Sequence, residues 1–113
     1  MNITRGDDKR FKFARYDDKK NIIEEIADEI FFSVKYNNLD DEVLFQKKLS
    51  DNTIEFSSED YFYRFWIDAE DTDKLSYGCY KYDIERIVDG RKKTISKGIF
   101  TIEEETTFLG NEG

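Results

Sequence analysis

From Ala69 to Ile84 the chain reads AEDTDKLSYGCYKYDI, an acidic run followed by a lone cysteine among tyrosines. Asp68, Glu70, Asp71 and Asp73 are the residue type a calcium loop uses. A hard cation collects several carboxylate and carbonyl oxygens from one flexible segment. The spacing departs from that pattern. Counted from Asp68, the sixth position is Asp73 instead of Gly, and the twelfth is Cys79 instead of Glu. The same acids suit the start of a helical turn, where the dipole favours negative charge, so the spacing predicts an N-capped turn in a crossover between sheets. Cys79 would need a base or a positive field to become a nucleophile. The chain contains no histidine, which removes Cys–His pairs, Ser–His–Asp triads and histidine-ligated metals. Cys79 therefore reads as a small apolar residue on a sheet.

Other candidates are weaker in pattern. Asp17-Asp18 and Glu103-Glu104-Glu105 are adjacent carboxylates, and neighbours on a strand point to opposite faces. They do not face each other across a cleft as glycosidic acid/base work requires; they read as solvated turn and edge charges. Arg5-Gly6-Asp7 and the sequon-like Asn2-Ile3-Thr4 are three-residue matches of the kind that arise by chance. Gly6 reads as a flexible entry to the first strand. The aromatics are more informative. Tyr61, Phe62, Tyr63, Phe65 and Trp66 place rings on both faces of one strand. One face must be core. The other, Phe62, Arg64 and Trp66, combines aromatics with arginine as protein–protein hot spots do, and is the candidate interface.

The elements that would position these residues are mostly short strands, read from period-two alternation. Phe11 and Phe13 alternate with Arg10 and Lys12 before a turn at Asp17–Asn21. Ile30, Phe32, Val34 and Tyr36 alternate with Phe31, Ser33 and Lys35, and Asn37-Asn38 ends that strand. Val43 with Phe45, and Ile54 with Phe56, mark two short strands. Tyr61, Tyr63, Phe65 and Ile67 form one face of the strongest strand. Tyr80, Tyr82 and Ile84 alternate with Cys79, Lys81 and Asp83. Asp89-Gly90 signals a hairpin, followed by Thr94-Ile95-Ser96 and then Ile99 to Glu103. Ile22, Ile23, Ile26 and Ile30 also fit a helical face, so a helical turn before Ile30 competes with a loop there. A second helical turn is expected at Asp71–Leu75. About seven strands with one or two helical turns predict an all-β, antiparallel sandwich.

Composition bounds the function. The 113 residues make one domain, with 16% aromatics to build its core. The net charge of −8 disfavours nucleic acid and anionic membranes as partners. One cysteine excludes an intrachain disulfide and fits folding in a reducing cytosol. No apolar run approaches the roughly 18 residues of a membrane span, and no signal peptide opens the chain. The expectation is a protein made in a cytosol and not exported by that route. The sandwich is expected over 1–106, with 107–113 a flexible tail or a link to a partner. No cofactor or metal motif is present.

One ordered series of residues looks familiar. It begins with Arg5-Gly6-Asp7 leading into Phe11 and Phe13, then Ile26-Ala27-Asp28 leading into Ile30, Phe32, Val34 and Lys35. Next come Trp66-Ile67-Asp68, Glu70-Asp71-Thr72 and Leu75. Gly78, Tyr80, Tyr82-Asp83-Ile84, Asp89-Gly90, Thr94, Gly98–Ile102 and Thr106 complete it. The series resembles a small Ig-like β-sandwich of tailed-phage and prophage structural modules. Its layout is similar to N-terminal domains of baseplate or tail-fibre-associated proteins. The chain departs from that pattern at Lys19-Lys20-Asn21, where an Asp-Gly type of turn is expected, and at Asp8, where Thr is common.

The resemblance implies a non-enzymatic structural or assembly role, in a virion or the host bacterial cytoplasm, with other virion proteins and copies of itself as partners. The competing expectation is a small acidic inhibitor or immunity-type protein that masks a basic partner. Ig-like sandwiches often bond a tyrosine hydroxyl back to upstream backbone at a corner. Tyr80 is the expected corner residue and Tyr77 the alternative. Leu75 would be the plug, Asp71 the cap, and Gly78 the point where backbone passes closely.

Overall fold

A computed structural model describes residues 1–37 and 42–104. Eight strands and one helical turn follow one another: β1 Asn2–Thr4, β2 Lys9–Ala14, β3 Glu29–Lys35, β4 Phe45–Lys48, β5 Ile54–Phe56, β6 Phe62–Ile67, α1 Ala69–Thr72, β7 Gly78–Val88 and β8 Arg91–Glu103. They form two sheets, β1-β8-β7-β3-β4 and β2-β6-β5, stacked as a sandwich. The expected alternation sets which side chains enter the space between them. Ile30, Phe32 and Val34 from β3, Tyr63, Phe65 and Ile67 from β6, and Tyr80 and Ile84 from β7 are buried with Phe100 and Ile102 from β8. Phe32 and Phe65 meet across the two sheets with ring centroids 4.5 Å apart. Phe13 stacks on Tyr63 at 5.2 Å.

Several expectations need correction, among them the second helical turn, which forms at Ala69–Thr72 instead of Asp71–Leu75. The larger sheet is mixed, because β1 pairs in parallel with β8, Asn2 opposite Thr101 and Thr4 opposite Glu103. Thr94–Ser96 and Ile99–Glu103 belong to one long strand, not two pieces. A bulge at Ile95, where Ile84 faces Ser96 but Glu85 faces Thr94, hides that continuity in the sequence. Val43 lies outside β4. No helix forms over Ile22–Ile30. Ile26 is exposed, while Ala27 and Ile30 are buried. The segment's polar groups bond elsewhere: Ile23 N–H donates to the Arg15 carbonyl at 2.8 Å, and Ala27 N–H donates to the Tyr63 hydroxyl at 3.0 Å. Tertiary partners thus override the helical stripe. The expected strand end at Asn38 and the tail at 107–113 lie outside the described residues.

The turns follow local chemistry. Asp89 and Gly90 have φ of 52° and 75°, the two positive values of a type I′ hairpin. Asp17 Oδ1 accepts from the Lys19 and Asn21 backbone N–H groups, each at 2.9 Å, so an Asx turn replaces the Asp-Gly type. Gly98 is constrained by a close approach. A Cβ there would lie 2.9 Å from the Tyr82 ring, which crosses β8 at that position.

Candidate functional site

β6 carries two chemically different faces. Tyr63, Phe65 and Ile67 point inward and are buried. Phe62, Arg64 and Trp66 share the outward face, as the alternation predicts, and Trp66 is 52% exposed. β2 completes that face. Its antiparallel register sets Arg10 opposite Trp66, Lys12 opposite Arg64 and Ala14 opposite Phe62. The Arg10 guanidinium lies 5.8 Å from the Trp66 ring centroid, and the Lys12 ammonium 5.1 Å from that of Phe62. Each cation is attracted by a ring quadrupole while remaining near water.

Arg64 is held differently. The β5–β6 turn places Asp60 beside it, and the two form a two-point ion pair. Asp60 Oδ1 also accepts from the Phe62 backbone N–H at 3.1 Å. The Arg64 guanidinium, and then that N–H, hold the Asp60 carboxyl down from 3.8 to about 2. On β5, Glu55 stands opposite Arg64. The result is a fixed guanidinium between two ring–cation pairs. Beside it lies a cleft of about 240 Å³ lined by Arg10, Lys47, Thr53, Arg64, Trp66 and Asp68. Lys47 reaches in from β4, is 7% exposed, and pairs with Asp71 at 2.7 Å.

The corner residues assemble as a second group. The Tyr80 hydroxyl donates to the Ser76 carbonyl at 2.6 Å, and burial raises its pKa. Tyr80 is therefore the corner tyrosine. Tyr77 is exposed and lies under the Arg5 guanidinium, 5.2 Å from its ring centroid. Leu75 packs against the core edge. Asp71 Oδ2 accepts from the Asp68 backbone N–H at 2.8 Å, so Asp71 caps α1 from its third position while also binding Lys47. Gly78 serves a different need from the one expected. Nothing approaches it closely, and its φ of +139° is what requires glycine. Cys79 is exposed, with Sγ 3.7 Å from Thr101 Oγ1; it projects from the outer face instead of packing as an apolar residue. Arg5 of the Arg5-Gly6-Asp7 turn also donates to the Asp73 carbonyl at 3.0 Å. Among the described residues, no three acids or cysteines converge as a metal-binding group.

Arg10, Lys12 and Asp60 belong to the outward face and were not singled out from the sequence. Arg10 and Lys12 were visible as the polar half of the Phe11/Phe13 alternation. What was missing was the pairing of β2 with β6.

No family model and no curated protein matches the chain. Among solved structures, it is similar to an endo-beta-1,4-mannanase from Thermotoga petrophila. The two share 15% identity at a TM-score of 0.55. The match covers 90% of this chain and 17% of the mannanase. At that identity the likeness shows the sandwich fold. No helix among the described residues is long and apolar enough to cross a membrane.

Proposed function

We propose that the chain is a non-enzymatic structural or assembly module of a phage or prophage particle, docking through the outward face of β2 and β6. The observation that carries this reading is the fixed row of Arg10 over Trp66, Arg64 tied to Asp60, and Lys12 over Phe62 on an exposed sheet face. Aromatic and arginine side chains already fixed in position lose little freedom on docking. A chain of net charge −8 that concentrates cations here favours an acidic docking surface opposite. A second copy of this chain, itself of net charge −8, is one such partner, and different patches meeting on successive copies build rings or filaments. The competing role, an acidic mask over a basic partner, would leave this cationic face unused. The mannanase likeness supports only the sandwich on which the face is built.

Sedimentation velocity and light scattering over a concentration series test the proposal. The expected result is concentration-dependent assembly that Trp66→Ala abolishes. The variant's urea stability should change by less than about 0.5 kcal/mol, as for most surface substitutions. A strictly monomeric chain at every concentration, or assembly indifferent to Trp66→Ala, overturns it. A tight one-to-one complex with a basic host protein that weakens steeply with salt would establish the inhibitor role in its place.

A further inference from the structure

β8 is the longest strand, and most of its outer edge has no neighbour. β1 covers only Thr101–Glu103. From Arg91 to Gly98, no strand lies beside that edge among the described residues. β2 is likewise an edge strand of the smaller sheet. Between the two edges the sandwich is open, with a cleft of about 440 Å³ lined by Met1, Phe11, Phe13, Tyr82, Ile84 and Ile95 among others. The bulge in β8 brings Ile95 to this cleft, where it stays 37% exposed. Gly98, lacking a Cβ, lets the Tyr82 ring lie across β8 at the same place.

A lysine-rich edge can serve simply to repel other strands. That role does not require an open apolar cleft along the same edge. The charge pattern also selects an occupant. β8 carries Arg91, Lys92, Lys93 and Lys97 against one acid, Glu103, and β2 carries Lys9, Arg10 and Lys12 with none. Two β8 edges from separate copies would set like charges against each other, which opposes their pairing.

We propose that an acidic, extended segment of a partner protein adds as a strand to the outer edge of β8, in line with β1. Alternate apolar side chains of that segment fill the cleft between β8 and β2. Main-chain hydrogen bonds to the free edge supply affinity, and the cleft with its flanking cations supplies selection. The cleft borders the Phe62–Arg64–Trp66 face and shares Lys12 and Phe62 with it, but Arg64 and Trp66 lie outside it, so a change at Trp66 tests one surface without the other.

The probe is a fluorescein-labelled peptide of about ten residues, alternating glutamate with valine and leucine. Its lysine counterpart is the control. Anisotropy should show the acidic peptide binding at least about tenfold more tightly than the control. Hydrogen exchange should slow at the backbone amides of Lys92–Lys97. Ile95→Asp places a charge in the cleft, and the pair Lys93→Glu with Lys97→Glu reverses exposed edge charge. Each should weaken binding by about tenfold or more, with circular dichroism confirming the fold. Trp66→Ala should bind like the parent. Equal binding of the two peptides, protection at another edge, or unchanged binding by Ile95→Asp with the fold intact overturns the proposal. Protection of the β8 amides by self-association alone would also overturn it, by assigning the edge to a second copy.

Discussion

The two faces of β6 each carry two aromatic rings, and the rings differ in fate. Inward, Tyr63 and Phe65 are almost wholly removed from water; outward, Trp66 keeps about half its surface in contact with it. The inward rings are fixed by other rings, with Phe32 4.5 Å from Phe65 and Phe56 4.8 Å from Tyr63. The outward rings are fixed by cations from β2. Aromatic content alone therefore does not distinguish core from contact surface. On β6 the partner of each ring does: rings from both sheets surround the buried pair, while β2 cations stand over the outward pair. Hot-spot residues with little freedom left to lose fit the second description.

Three substitutions would break or sharpen this contrast. Phe65→Ala should be the most damaging, costing about 3–5 kcal/mol in urea unfolding, because it opens a cavity where the two sheets meet. A loss no larger than that of Trp66→Ala would erase the distinction between the faces. Tyr63→Phe keeps the ring and removes its hydroxyl. That hydroxyl accepts from Ala27 N–H at 3.0 Å and from Arg15 Nε at 3.3 Å. Leaving those donors short of an acceptor should cost about 1–3 kcal/mol, with faster amide exchange at Ala27 as the local sign.

The outward face should respond to acid. Asp60 has a folded value of about 2 against 3.8 when unpaired. A depressed carboxyl stabilises the folded chain above its unfolded value. That contribution is lost as pH falls from 3.8 towards 2. Asp60→Asn should therefore flatten the acid limb of the stability curve across that window. Because Asp60 is exposed to solvent, this is the smallest of the three effects. An acid limb identical in both proteins would show that the ion pair does not hold Arg64 in solution.

The faces of β3, β6 and β7 were legible because alternation with a period of two is written directly in residue type. The Tyr80 corner was legible because an acidic turn, Leu75 and Gly78 precede it in one continuous stretch. What escaped depends on partners distant in sequence. Nothing in KRFKFA names β6 as its neighbour, so the cation-over-ring pairs were hidden. The Ile95 bulge shifts the alternation of β8 midway and makes one strand look like two. The isoleucines at 22, 23 and 26 imitate a helical stripe, but the Tyr63 hydroxyl and the Arg15 carbonyl take the donors that a helix would have used. At Gly78 a close approach and a positive φ both call for glycine and look alike in sequence; the φ of +139° is what requires it.

The parallel pairing of β1 with β8 has a consequence for synthesis. Ile3 is buried at 2% exposure, and its strand partner is Ile102. β1 has no docking site until β8, about a hundred residues later, has followed it out of the ribosome. The β7–β8 hairpin can form locally as it emerges, but the sandwich cannot close over Ile3 before β8 has been made. Contacts so distant in sequence slow folding, because the entropy of closing the loop is lost before the pairing compensates for it. Phe11 and Phe13 gain their cover from Phe65 and Tyr63 once β6 has emerged, whereas Ile3 stays uncovered until β8 arrives and leaves an apolar strand open to aggregation in the meantime.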